Sequence, residues 1–149
     1  MHSFLLGTHN ILRWLVLVIG VVALIRSLRG LASGSLWTRA EAASLSGYAN
    51  ILGLQMLVGL GLYFFTSPVG MQALGDMGTA MRDPNARFYA VEHPLAMLLA
   101  VALAHIALAR TKKAATDAAR FRTAALLITL SLVLVLARMP WARPMIPAF

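Results

Sequence analysis

The sequence predicts an all-α integral membrane protein, a four-helix bundle that forms one transmembrane domain over residues 1–149. Two observations lead to this prediction. Of the 149 residues, 60% are hydrophobic and only 12% are charged, whereas a soluble domain carries about 25% charged residues. The apolar residues also fall into four separate stretches, each close to the roughly 20 residues that a helix needs to cross the hydrocarbon core of a bilayer.

The four stretches and their connections predict the helices and their orientation. The stretches cover residues 4–25, 44–65, 88–109 and 121–137, and the last is short enough that Trp141 is expected to reach its membrane interface. Three basic residues lie between helices one and two, and five lie between helices three and four. Cytoplasmic loops carry such an excess of Lys and Arg. We therefore expect both termini and the outer loop 66–87 on the periplasmic side of a bacterial inner membrane.

The outer loop and the C-terminal tail are the sizeable extramembrane segments. Residues 71–81 could form a short helix on the membrane surface, and Asp83-Pro84-Asn85 has the composition of a turn. The tail from Pro140 to Phe149 contains three prolines and is expected to be irregular. No alternating pattern predicts β-strands or a barrel.

Composition excludes several classes of function. The net charge of +8 does not indicate nucleic-acid binding, because the basic residues lie in short loops and not on a soluble face. The absence of cysteine excludes disulfides, thiolate metal sites, iron–sulfur clusters and covalently attached haem. Paired carboxylates, nucleophile motifs and phosphate-binding loops are also missing. We assign no catalytic residue and expect an electron carrier or a subunit sooner than a stand-alone enzyme.

Ionisable side chains inside apolar helices are costly and usually functional. In this chain they gather in the predicted outer half of the bilayer. The set is His9 and Arg13 in helix one, Glu92 and His93 in helix three, and Arg138 at the end of helix four. These five residues form the predicted cofactor-binding site.

The two histidines are predicted to lie at one depth. His9 precedes Arg26 by 17 residues, and His93 precedes Arg110 by the same number. If both arginines mark the cytoplasmic interface, both histidines lie about 25 Å above it. Helices one and three should be diagonal in a bundle with short sequential connections. Two imidazoles in this arrangement are suited to ligate the iron of a single haem b.

The neighbouring residues have two interpretations. Arg13 and Arg138 could pair with haem propionates at the polar interface, and Ala96, Ala100 and Ala104 could make room for a flat macrocycle on the His93 side. The alternative is a structural polar cluster in which Arg13 pairs with Glu92, while the alanines form helix–helix contacts.

His105 is a weaker candidate ligand than either of the other two. It follows His93 by 12 residues, so it should point about 120° away around the helix.

Three segments resemble the signature positions of a known family. They are His9-Asn-Ile-Leu-Arg-Trp14, Arg87-Phe-Tyr-Ala-Val-Glu-His93 and Pro140-Trp141. The family consists of short bacterial four-helix membrane proteins commonly labelled cytochrome b-like. The resemblance implies membrane-embedded electron transfer, with His9 and His93 at the matching positions. Pro94 departs from the pattern and could kink helix three beside the candidate ligand.

These observations leave three hypotheses for the function. The first is a single-haem membrane cytochrome, with quinone as a candidate redox partner. The second is a cofactor-free accessory subunit of a larger respiratory or photosynthetic complex. The third is a small transporter or metal-handling protein, and it ranks last because only Gln55 lies near the midplane. Under the first two, we expect a homodimer or a subunit of a membrane complex, in contact with the lipid bilayer.

Overall fold

The computed structural model describes residues 1–141, without the side chains of residues 68, 71 and 72. Most of the predicted irregular tail therefore lies outside the described residues. The helices are α1 (His2–Ser33), α2 (Arg39–Gly61), α3 (Pro68–Gly75), α4 (Met77–Arg82), α5 (Pro84–Arg87), α6 (His93–Lys113) and α7 (Asp117–Ala137). A π-helical turn, Leu62–Thr66, continues α2, and a second, Phe88–Glu92, joins α5 to α6.

The all-helical prediction is confirmed, and residues 1–141 contain no strand. Four helical segments are long and apolar enough to cross a membrane: His2–Ser33, Arg39–Thr66, Pro84–Lys113 and Asp117–Ala137. Large apolar side chains cover their outward faces, among them Val18, Leu57, Leu98, Leu126 and Val133. A surface of this kind is suited to lipid.

The long helices extend beyond the predicted spans, mainly at the end that carries most of the basic residues, called here the basic end. The opposite end, called the histidine end, carries His9, His93 and Arg138. The segment predicted as the outer loop 66–87 contains three short helices. In place of a turn, Asp83 caps α5, with its carboxylate accepting a hydrogen bond from the Ala86 N–H and Pro84 at the first helical position.

The four long helices form a ring in which α1 contacts α2, α2 contacts α6, α6 contacts α7, and α7 contacts α1. Helices α1 and α6 are therefore diagonal, as the sequence predicts for helices one and three. The short connections at the basic end account for the sequential order. This arrangement puts the two histidine-bearing helices on opposite sides of one bundle core.

A buried hydrogen-bonded chain crosses the middle of this core. The Ser131 hydroxyl on α7 donates to the Ala100 carbonyl on α6 at 2.8 Å. A carbonyl cannot donate, so the Tyr48 hydroxyl on α2 must donate to Ser131, also at 2.8 Å. Ala100 and Ala104 are fully buried in the same cluster as α7 side chains. The alanine stripe is thus packed inside the bundle, as in the helix–helix interpretation.

At the basic end, the connection between α1 and α2 is closely fixed. Gly34 ends α1 in the left-handed conformation, with φ 64°. Thr38 and Glu41 form a capping box at the start of α2, and Glu41 also pairs with Arg26 at 2.5 Å. The charged side chains therefore tie the first two helices together where they leave the apolar region.

At the histidine end, Pro94 lies in the first turn of α6 and does not interrupt the long helical segment Pro84–Lys113. The preceding turn widens into the π-helix, and the His93 N–H bonds to the Phe88 carbonyl five residues earlier. Proline has no N–H to donate and is well tolerated at the first turn of a helix. A π-turn shifts by one residue the face that a helix presents, and the shift falls immediately before His93.

Candidate functional site

The central feature of the histidine end is a pair of imidazoles that face each other across the bundle. His9 lies in the second turn of α1, and His93 is the first residue of α6. Their ring centroids are 6.4 Å apart and their planes are inclined at 69°. Both residues are partly buried. The diagonal placement of α1 and α6 brings together two residues that are 84 positions apart in the chain.

A hydrogen bond to the main chain of Arg138 fixes the tautomer of His93. Its Nδ1 lies 2.7 Å from the carbonyl oxygen of Arg138. Since a carbonyl can only accept, Nδ1 carries the proton, and Nε2 of the neutral ring has a free lone pair. This is the arrangement that metal-ligating histidines usually have. The Phe88 ring lies beside it, with centroids 5.9 Å apart.

His9 is held against α2. A Cβ added to Gly59 would lie 3.2 Å from Cε1 of His9, so glycine leaves the space that the ring occupies. One turn earlier on α2, the Gln55 amide donates to the His9 carbonyl at 3.0 Å. The His9 Nδ1 and the Gln55 Oε1 are both buried and have no hydrogen-bond partner among the residues that the structure describes.

Charged side chains surround the imidazole pair. The Glu92 carboxylate accepts from Arg87 at 2.9 Å and lies 3.3 Å from Arg138. Arg138 is half-exposed, whereas Arg13 is only 6% exposed and lies one turn from His9 along α1. Glu92 therefore positions Arg138, whose own carbonyl holds His93.

His105 lies away from this site. It is exposed on α6, and its Nδ1 is 2.9 Å from the Val101 carbonyl on the same helix. Its nearest glycine neighbour is Gly53 on α2, where an added Cβ would lie 3.7 Å from Cε1. The structure thus brings His9 and His93 together and separates His105 from them.

The spacing of the two imidazoles would allow them to bind one shared metal ion. Among the described residues, no cluster of three or more His, Cys, Asp or Glu could hold a bare metal ion. Two imidazoles bound on opposite sides of one metal ion, each at about 2 Å, would place their ring centroids roughly 6 Å apart. The observed 6.4 Å is close to that separation. Two imidazoles are a ligand pair that a haem iron can accept, but the alanines expected to make room for its macrocycle are packed in the bundle core.

Sequence reasoning named Gly59 among the small residues near the site, but it did not assign two other contributors. They are Gln55 and the main-chain carbonyl of Arg138. Gln55 gives a usable signal, because a polar side chain inside an apolar span needs a partner. The side chain that packs against a given glycine and the direction of a main-chain carbonyl depend on tertiary packing, so residue type alone does not predict them.

Comparisons with known proteins give no relative for this chain. No protein-family model matches it, no curated protein matches it, and no solved structure matches it.

Proposed function

We propose that this protein is a membrane-embedded b-type cytochrome that binds one haem at the histidine end and carries electrons within a bacterial inner membrane. The single observation that supports this most is the His9–His93 pair, with ring centroids 6.4 Å apart across the bundle diagonal. When bound, the haem would supply a one-electron iron redox couple. The other roles in this proposal belong to the chain's own residues.

Each residue of the site has a separate proposed role. His93 would ligate through Nε2, because its Nδ1 proton is directed to the Arg138 carbonyl. His9 would supply the second imidazole, with Gln55 bonded to its carbonyl and Gly59 leaving room for its ring.

The arginines of the site balance the charge of the propionates. Arg13 and Arg138 carry positive charge beside the imidazoles, as two carboxylates require at a membrane interface. Glu92 holds Arg138 in place at 3.3 Å. The partial burial of the two imidazoles would limit access of water to a bound iron, a factor that tunes redox potential.

The proposal is tested by an absorbance spectrum of the full-length protein, expressed with added haem, purified in mild detergent and reduced with dithionite. We expect the unaltered protein to show the bands of a low-spin b-type haem. His9→Ala and His93→Ala should each abolish or grossly alter these bands, because each removes one of the two imidazoles proposed to hold the haem. His105→Ala is the matched control and should leave the spectrum nearly unchanged.

Two outcomes would contradict the proposal. Loss of haem in His105→Ala alone would show that the wrong histidines were paired. An intact but colourless protein would favour the cofactor-free accessory subunit. The electron donor and acceptor are proposed only by class, with quinone as the candidate small-molecule partner.

We also propose that the protein works as a homodimer or as a subunit of a larger membrane complex. A stable specific interface buries about 1,200–2,000 Å², and the outer surfaces of the helices supply most of the chain's area. The outward faces of α2 and α7 expose large apolar residues, including Leu54, Leu57, Leu126, Leu130 and Val133.

A further inference from the structure

The basic end contains a groove that the proposed function does not use. It lies where the first turns of α2 meet the last turn of α6 and the first turn of α7, and its volume is about 390 Å³. Lys112 follows His93 by 19 residues on α6, so the groove is about 28 Å along the helix from the imidazole pair. That distance is close to the thickness of a hydrocarbon core.

The groove combines an apolar wall with a cationic edge. Ala42, Ala43 and Leu108 line the wall, and the small side chains of the two exposed alanines leave it open on the outer side of α2. Lys112 and Arg120 line the edge. The apolar wall is suited to the acyl chains of a lipid, and the cationic edge is suited to an anionic headgroup.

The charge at this edge is only partly neutralised. Arg120 pairs with Asp117 at 3.0 Å. Lys112 is exposed and forms no ion pair with any residue between 1 and 141. Eight Lys and Arg lie at the basic end, against the two acidic residues Glu41 and Asp117. The edge therefore has positive charge available for an anion.

Hydroxyl groups add hydrogen-bonding capacity to the groove. Ser46 accepts from the Asn50 amide at 3.4 Å, which leaves its own proton available for a phosphate oxygen. Thr111 directs its proton to the Ala107 carbonyl, so it can only accept from a ligand. The charged donors suited to a phosphate at the edge are thus Lys112 and Arg120, while Ser46 lies about one turn deeper along α2.

We propose that this groove binds an anionic phospholipid, with the phosphate at Lys112 and Arg120 and the upper acyl chain against Leu45 and Leu108. Basic pockets between helices at a membrane interface are suited to such headgroups. The volume is that of a small-molecule site and is too small for a protein interface. A neutral quinone would leave the cationic edge unpaired. This inference does not depend on haem binding.

The test is a native mass spectrometry titration of the full-length protein in mild detergent. The probes are dioleoyl phosphatidylglycerol and, for comparison, dioleoyl phosphatidylcholine with the same acyl chains. We expect the unaltered protein to retain one phosphatidylglycerol and little phosphatidylcholine. The double variant Lys112→Gln/Arg120→Gln should bind phosphatidylglycerol roughly ten-fold more weakly, since each basic residue at an anionic surface contributes about five-fold and Arg120 is partly neutralised.

Matched variants separate the groove from general charge. Lys113→Gln/Arg122→Gln removes the same charge from the same end, but neither residue lines the groove, so binding should change less than two-fold. Ala43→Phe keeps the charge and fills the apolar wall, and it should also weaken binding. Because Ala43→Phe retains both basic residues, it also tests the groove if the Lys112→Gln/Arg120→Gln variant does not fold.

Three results would overturn the inference. The first is an equal loss of affinity in the two double variants, which would indicate only non-specific charge. The second is full retention of phosphatidylglycerol by both Lys112→Gln/Arg120→Gln and Ala43→Phe. The third is displacement of the lipid by millimolar inorganic phosphate, which would show an anion site without a lipid component.

Discussion

Gly59 sets the space available to one of the two imidazoles. A methyl group at this position would lie 3.2 Å from Cε1 of His9, closer than most Cβ contacts. Gly61, two residues later on α2, has no atom within 4 Å of the same added group. The two glycines therefore lie at nearly the same level of α2, but only Gly59 packs against His9.

Substitution of these glycines should affect the site differently. Gly59→Ala should displace the His9 ring and shift the reduced haem spectrum or lower haem content at least two-fold. Gly61→Ala should leave the spectrum unchanged and gain up to about 1 kcal/mol in helix propensity. Absorbance spectra and thermal unfolding of both variants measure this difference. Identical spectra with full haem content in the two variants would contradict the assigned position of His9.

Residue patterns predicted the histidine pair but not its surroundings. Equal spacing from Arg26 and Arg110 predicted one depth for His9 and His93, and their rings lie 6.4 Å apart. The Arg138 carbonyl that holds His93 has no signature in sequence, because every residue has a carbonyl. Its direction depends on how α7 ends, which tertiary packing decides.

At the scale of helices, the Tyr48–Ser131–Ala100 chain joins three of the four long elements. Each hydrogen bond in it is 2.8 Å long, and Tyr48 and Ser131 are completely buried. Removing Ser131 leaves a buried tyrosine hydroxyl without its acceptor. Removing the tyrosine hydroxyl leaves Ser131 bonded to its carbonyl.

The two truncations should therefore have unequal effects on stability. Tyr48→Phe should lower the free energy of unfolding by about 1 kcal/mol, and Ser131→Ala by about 1–3 kcal/mol. The double variant should lose less than the sum, because it removes the donor that the serine change leaves unpaired. Unfolding in mixed micelles by a steric-trapping or denaturant assay measures all three. A larger loss for Tyr48→Phe than for Ser131→Ala would reverse the assigned direction of the bond.

The sequence predicted the number of long helices better than their ends. Hydropathy identifies the apolar part of a helix, and α1 was expected to end near Ile25. It continues to Ser33, because Arg26 and Arg29 are good helix formers, and it stops at Gly34 in the left-handed conformation. The helix therefore extends past its apolar segment by about two turns.

At the scale of the whole molecule, the distribution of basic residues predicts the orientation. The helix ends that flank the connections α1–α2 and α6–α7 carry most of the Lys and Arg, and this end of the bundle should be cytoplasmic. The chain contains no native cysteine, so single introduced cysteines report topology cleanly. Cysteine at Ser67 or Thr79 should react with an impermeant thiol reagent in intact cells, and cysteine at Ser35 should react only after permeabilisation. The reverse pattern would place the histidine end in the cytoplasm.

The diagonal position of α1 and α6 also has a consequence for the order of events during synthesis. A ribosome completes His9 long before His93, which is 84 residues later. Synthesis must therefore pass through α1, α2 and the first turn of α6 before the two imidazoles can meet. The first half of the chain lacks one member of the pair, and the second half lacks the other. The pair can thus form only after the chain has been made through α1, α2 and the first turn of α6.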